Sequence, residues 1–467
     1  MTPSQIEQLR QLPSVDQLLG LERMQRLTAQ FGRRLTLEAS RDTLNTTRQQ
    51  IRQSTDRVYS GVDSLIEQIE TWLQNLVAPT LYPVINATGV VIHTNLGRAP
   101  LSQQATDAIA AIATGYSNLE FDIPSGKRGS RSVHASDIVQ RLTGAQSATV
   151  VNNTASAMIL MLSALCAGRE VIISRGQLVE IGGGFRMPDV MQQAGVKLVE
   201  VGTTNRTHLR DYANAITENT AAILSVHHSN YKIIGFTTEP SLADLADLAH
   251  THDIPLLFDQ GSGALLDSRQ FGLEPEPRVQ DAIVDGCDVV AFSGDKLIGG
   301  PQAGIICGRS DLIATIKRHP LARAVRPDKL CYAGLTATLG SYVRGAAIAE
   351  VPIWQMISQP LEQLRNRAAR WQEILSEQGV ECHVADGVST VGGGSLPGQT
   401  LPTKLLVLRH SRPEMLAKIL RTRLDVPIIG RIQDNTLRLD PRTVLLSHED
   451  VFLNGLQQAI SLATSNP

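Results

Sequence analysis

The chain has 467 residues, 42% of them hydrophobic and 19% charged, with a formal net charge of -2. That length buries a large core and suits more than one domain, while the nearly balanced charge gives no global pull toward nucleic acid or membrane, so a polyanion would have to meet a local basic surface. Five scattered cysteines, Cys166, Cys287, Cys307, Cys331 and Cys382, form no C-x-x-C pair, which argues against a structural zinc site or a disulfide framework and points to a reducing cytoplasm.

The start, Met1 to Leu12, lacks the apolar core of a signal peptide, and the most apolar stretch, Ala155 to Ala167, is too short to span a bilayer, so no membrane insertion is expected. Residues 1–78 read as a helical domain. Val58, Val62, Leu65, Ile66, Ile69, Trp72, Leu73 and Leu76 recur at steps of three and four and predict an amphipathic helix ending before Pro79. Ahead of it, residues 21–57 carry eight arginines, Arg23, Arg26, Arg33, Arg34, Arg41, Arg48, Arg52 and Arg57, against four acids, Glu22, Glu38, Asp42 and Asp56. Such a run is commonly a solvated helical face; the other reading is a surface for phosphate backbone.

Residues 79–330 alternate short β-rich runs with helical segments, the pattern of a mostly parallel sheet covered by helices. The predicted strands are residues 148–152, 170–174, 197–201, 221–226, 255–259, 289–293 and 304–308. Ligands of such sheets sit beyond the carboxyl ends of the strands. Residues 331–467 read as a smaller α+β domain, with a helix over 361–378, a strand over 404–409, a helix start at Pro413, a strand near Leu437 and a closing helix. The run Gly392-Gly393-Gly394 reads as a loop.

The chemical signal is the apolar strand Val289 to Ser293 running into Gly294, Asp295 and Lys296. A lone lysine after a strand is usually a surface residue, so it gains weight only from partners that pyridoxal chemistry requires. Asp259 ends the apolar strand from Ile254 and suits a carboxylate beneath a pyridine nitrogen, where an anion keeps the ring protonated; it could equally be a loop or cap aspartate. Asn153, Thr154 and Ala155 join a strand to an apolar helix, placing free N–H groups where a phosphate could sit, and Ser293 could add a hydroxyl. Ser229 or Asn230, at the end of the strand before Asp259, could hydrogen-bond the ring's phenolic oxygen.

This order of phosphate cup, ring-oxygen donor, ring-nitrogen acid and Ser-x-x-Lys resembles the fold type I, aspartate-aminotransferase-like pyridoxal 5'-phosphate enzymes. Within them the wording is similar to bacterial selenocysteine synthase, the L-seryl-tRNA(Sec) selenium transferase. The carriers are Leu9 to Leu19 (LRQLPSVDQLL), Ile85 to Arg98 (INATGVVIHTNLGR), Ser293 to Lys296 (SGDK) and His319 to Arg326 (HPLARAVR). The resemblance implies conversion of L-seryl-tRNA(Sec) to L-selenocysteinyl-tRNA(Sec) using selenophosphate, by β-elimination to an aminoacrylyl intermediate and selenium addition. It implies that Lys296 carries the cofactor and then acts as base, with Asp295 tuning it or assisting elimination. Arg98, Arg323 and Arg326 are implied to hold selenophosphate or the leaving phosphate, and the helical domain to grip the tRNA, with Arg23, Arg26, Arg33 and Arg34 as plausible contacts. A homo-oligomer, a ring of ten built from dimers, is also implied. Two departures stand out: His227-His228 where a less basic pair is expected, and Asp434-Asn435 where Asp-Gly is expected. Both are placed outside the catalytic set. A small-molecule ammonia-lyase of the same superfamily is the alternative.

Overall fold

The computed structural model describes residues 1–54 and 58–465, so Asp56 and Arg57 lie outside the described residues. The chain divides into two compact units, Met1–Pro83 and Val84–Pro467.

The smaller unit is helical: α1 (Pro3–Gln11), α2 (Val15–Leu19), α3 (Glu22–Phe31), α4 (Arg33–Gln53) and α5 (Val62–Val77). Thr2 and Ser14 cap α1 and α2, each paired with a glutamine three residues on, which satisfies the first backbone donors from both sides. The predicted amphipathic helix is α5, which buries Leu65, Ile66, Ile69 and Leu73 against Leu18, Met24, Leu44 and Ile51. It starts after Gly61, leaving Val58 outside it, and stops at Ala78, which takes extended geometry because Pro79 follows. Arg23 donates to Glu70 at 2.7 Å, whereas Arg26, Arg33 and Arg34 are exposed.

The larger unit is built on two main sheets, beside three pairs of two-residue strands. The strands of the main sheets are β1 (Val90–Ile92), β2 (Ser147–Val151), β3 (Glu170–Ser174), β4 (Lys197–Val201), β5 (Thr220–Val226), β6 (Leu256–Gly261), β7 (Val289–Ser293), β8 (Gly304–Gly308), β9 (Cys382–Gly392), β10 (Thr400–Leu408), β11 (Arg431–Gln433) and β12 (Thr436–Leu439). The seven-stranded sheet has the order β2-β8-β7-β6-β5-β3-β4, and only β8 runs antiparallel to its neighbours. Strands β5 to β8 are buried at every position, which is why they read as continuous apolar runs rather than alternating ones. Helices cover both faces, among them α6 (Thr154–Cys166), α7 (Ser310–Arg318), α8 (Leu321–Ala324) and α9 (Lys329–Val343).

The second sheet has the order β11-β12-β10-β9-β1 and packs α10 (Leu361–Ser376), α11 (Pro413–Thr422) and α12 (Glu449–Ser465) around Trp371, Leu420 and Phe452. Its edge strand β1 comes from before the larger sheet and pairs in parallel with the end of β9. The boundary expected at residue 330 falls inside α9, which packs on helices of the larger sheet. Asp434 and Asn435 make the two-residue turn between β11 and β12, both with positive φ, at 50° and 54°. A type I′ hairpin needs that geometry twice, and Asp and Asn tolerate it better than other side chains do.

Candidate active site

Parallel pairing of β6 and β7 delivers Asp259 and the residues after Ser293 to the same sheet end, and a bulge between Asp259 and Gly261 ends β6 there. Asp259 and Lys296 both line a cavity of about 560 Å³. Asp259 is 5% exposed and its Oδ1 has no hydrogen-bond partner among the described residues. Burial pushes its carboxyl up to about 6, against the smaller opposing pull of the Lys296 and His227 charges. Lys296 is 8% exposed. Burial draws its amine below the usual lysine range, Asp259 works against that, Arg98 adds to it, and Asp295 and Glu276 oppose it.

At the same edge α6 opens with Asn153 as its cap, the Asn153 Oδ1 accepting from the Ser156 N–H at 2.8 Å. The hydroxyls of Thr154 and Ser293 lie 2.6 Å apart, so helix and lysine strand each present an oxygen to one spot. Gly304 on β8 makes this approach possible, since a Cβ there would lie 2.3 Å from the Asn153 carbonyl oxygen. Ser229 is buried in the lining; Asn230 also lines it, but its Nδ2 donates to the Glu180 carbonyl at 3.0 Å. Arg98 reaches the cavity from the turn after β1 and donates to Asp295 Oδ2 at 2.6 Å. Its backbone takes a positive φ of 64° directly after Gly97.

Lys296, Asp295, Asp259, Asn153, Thr154, Ala155, Ser229, Asn230, Ser293 and Arg98 thus meet at one cavity. Arg323 and Arg326 do not join them within the chain. They line a separate cavity of about 410 Å³ with Arg131, Lys317, Arg318 and His319, and Arg326 donates to Glu120 at 3.0 Å. His227, read from the sequence as outside the catalytic set, is among the residues lining the cavity, and its Nε2 lies 3.0 Å from Oε1 of the buried Glu276. Thr94, Asn95, Phe185, Gly393 and Gly394 are further lining residues that sequence reasoning missed. Thr94 and Asn95 lie within the run Ile85 to Arg98 and His227 within the doubled histidine, but no local signal brings Phe185 or the glycines here.

A buried lysine facing an acid with an unused acceptor, beside a hydroxyl-lined helix start, fits pyridoxal phosphate. The solved structure titled "Structure of D-Glucosaminate-6-phosphate Ammonia-lyase" matches this fold with a TM-score of 0.57 at 22% identity, covering 84% of this chain and 98% of that one. The protein is a fold type I, pyridoxal-phosphate-dependent enzyme. Residues 84–445 match the family described as L-seryl-tRNA selenium transferase, and residues 9–48 match the one described as selenocysteine synthase N terminal. The chain belongs to the L-seryl-tRNA selenium transferase family. Relatives named L-seryl-tRNA(Sec) selenium transferase include one from Desulfovibrio desulfuricans, 49% identical over 389 residues, 81% of this chain and 82% of that one. Another, from Geobacter sulfurreducens, is 44% identical over 459 residues, 96% of this chain and 99% of that one. These relatives favour the transferase over the ammonia-lyase alternative.

Proposed function

We propose that the chain converts L-seryl-tRNA(Sec) to L-selenocysteinyl-tRNA(Sec) with selenophosphate as donor, in the cytoplasm, using pyridoxal phosphate linked to Lys296. The observation that carries this reading is the partnerless, buried Oδ1 of Asp259 on the wall it shares with Lys296. An acceptor in that position suits the N–H of a protonated pyridine ring. The Thr154 and Ser293 hydroxyls, with the first N–H groups of α6, suit the cofactor phosphate, and Ser229 suits the ring's phenolic oxygen. Bound there, pyridoxal phosphate supplies an electron sink for charge developing at the substrate's α-carbon.

The chain's own residues do the rest. Lys296, once released by the incoming substrate amine, takes the α-proton at Nζ, and its lowered pKa raises the share of neutral amine able to do so. Asp295, locked to Arg98, tunes that base by favouring its charged form. Arg98 has more N–H donors than its one bond to Asp295 uses, and the planar fork suits a tetrahedral oxyanion.

Arg323 and Arg326 serve the same anion from a neighbouring copy in this reading, because their own chain turns them toward a different cavity. A homo-oligomer of dimers, ten chains in all, follows from the family resemblance. The exposed Arg26, Arg33 and Arg34 contact the tRNA backbone, while Arg23 is held by Glu70. Recognition is by shape and phosphate, since side chains do not read the deep major groove of A-form RNA.

A single-turnover reaction with charged seryl-tRNA(Sec) tests substrate, cofactor and donor together: selenocysteinyl product is expected only when selenophosphate is present. Protein that stays colourless with pyridoxal phosphate, or that leaves seryl-tRNA unchanged, ends this reading. Mixing Lys296→Ala chains with Arg323→Ala/Arg326→Ala chains should restore turnover that neither has alone; no restoration would remove the shared site.

A further inference from the structure

The run Gly392-Gly393-Gly394 closes β9 against the cavity, and its last two members line it. Each glycine meets something different. A Cβ on Gly392 would lie 2.4 Å from the Ile92 carbonyl oxygen, and one on Gly393 2.4 Å from Thr94 Cγ2. These two contacts belong to the packing of β9 on β1 and the turn after it. A Cβ on Gly394 would lie 2.5 Å from Lys296 Nζ and 2.7 Å from Cε. That contact falls on the reactive amine.

We propose that Gly394 is a positioning residue for Lys296, keeping open the space in which the amine exchanges partners. The proposal rests on Lys296 being the amine that links the cofactor. Lys296 has two tasks that need two positions: bonded to the cofactor's aldehyde carbon, and free beside the substrate's α-carbon. In the exchange the substrate amine forms its C=N bond to that carbon as the lysine C=N bond breaks. Both N–H protons of the incoming amine pass to the departing lysine, so nothing is oxidised and no outside acid is consumed.

Lys296 is nearly enclosed, and the bare backbone at Gly394 lies directly against the tip of its side chain. A methyl group there would force the amine to move by on the order of 1 Å to regain an ordinary contact. The obstructed atoms are the tip of a flexible side chain, so the fold survives and the amine yields. Backbone strain is a separate effect, because Gly394 has a φ of +79°. Gly398 separates the two: it lies in the same connection, has a φ of +73°, and has nothing within 4 Å of a would-be Cβ among the described residues.

The experiment uses the full chain loaded with pyridoxal phosphate and follows, by visible absorbance, the rate at which methoxyamine displaces lysine from the cofactor. Gly394→Ala is expected to keep the cofactor and slow displacement about tenfold or more, while Gly398→Ala keeps the wild-type rate. A wild-type or faster rate in Gly394→Ala, or equal slowing in Gly398→Ala, overturns the proposal. A second measurement covers poor cofactor loading, namely thermal melting of cofactor-free protein in a cycle of Gly394→Ala with Lys296→Ala. The glycine substitution should lower Tm clearly when the lysine is present, and no more than Gly398→Ala does when it is absent. An equal loss in both backgrounds places the obstruction elsewhere and sinks the proposal. Borohydride labelling at a residue other than Lys296 would instead remove the reading of the lysine.

Discussion

Asp259→Asn keeps the shape of the side chain and removes its charge, and the site's design predicts opposite effects in the empty and loaded protein. In the empty cavity the carboxyl titrates at about 6 rather than its ordinary 3.8. At about 1.4 kcal/mol per unit, holding it ionised there costs up to about 3 kcal/mol. The folded state therefore binds the extra proton between those two values, so the acid costs nothing below about pH 4 and its full amount above about pH 6. Removing the charge should leave cofactor-free protein at least as stable as wild type near pH 8. With the cofactor held as proposed, the carboxylate would accept a charge-assisted hydrogen bond worth roughly 1.5–3 kcal/mol, so the variant's Kd for pyridoxal phosphate should rise about 10- to 150-fold near pH 8. Titrating variant and wild type side by side by absorbance cancels the ligand's own protonation. The ratio of the two Kd values should shrink as pH falls below about 6 and approach unity near pH 4. A ratio that is flat with pH, or equal affinity near pH 8, would refute the role given to this carboxylate.

Ser293→Ala and Thr154→Ala should each weaken cofactor binding about tenfold in the same titration, and together by less than the product, because the two hydroxyls lie 2.6 Å apart and in the proposed reading serve one anion. Gly304→Ala drives a methyl into the Asn153 carbonyl, so lower Tm and lost cofactor affinity are expected together; loss of neither would show that the cup is not held this way. Asn435→Gly should raise stability by about 0.5–1 kcal/mol in urea unfolding, with turnover unchanged, since it relieves a positive φ at a turn that is not part of the cavity lining.

Much of this was legible in the sequence because the strands that carry the chemistry are buried on both faces, and unbroken apolar runs such as Val289 to Ser293 announce themselves. Lys296, Asp259, Thr154 and Ser293 are legible as candidates because each sits at or just past the end of such a run. β1 and β9 escaped notice for the opposite reason. The first is three residues long, and the second is largely unburied along its first half, so neither shows a periodic pattern. The glycines beside Lys296 could not be assigned, since their meaning lies in a contact about a hundred residues away in the chain. The spacing of Arg323 and Arg326 was visible, but which cavity they face depends on how α8 leaves the sheet.

The threading of β1 gives the second sheet a strand from the opposite end of the catalytic unit. A protease cut in the connection before α10 would therefore leave two pieces that still hold together, as a clasp holds after its strap is severed. Such a nicked protein should run as two bands on a denaturing gel and one peak in gel filtration. The carboxy-terminal piece expressed without residues 84–92 would expose the flank of β9 that β1 normally occupies, an open strand edge prone to self-association.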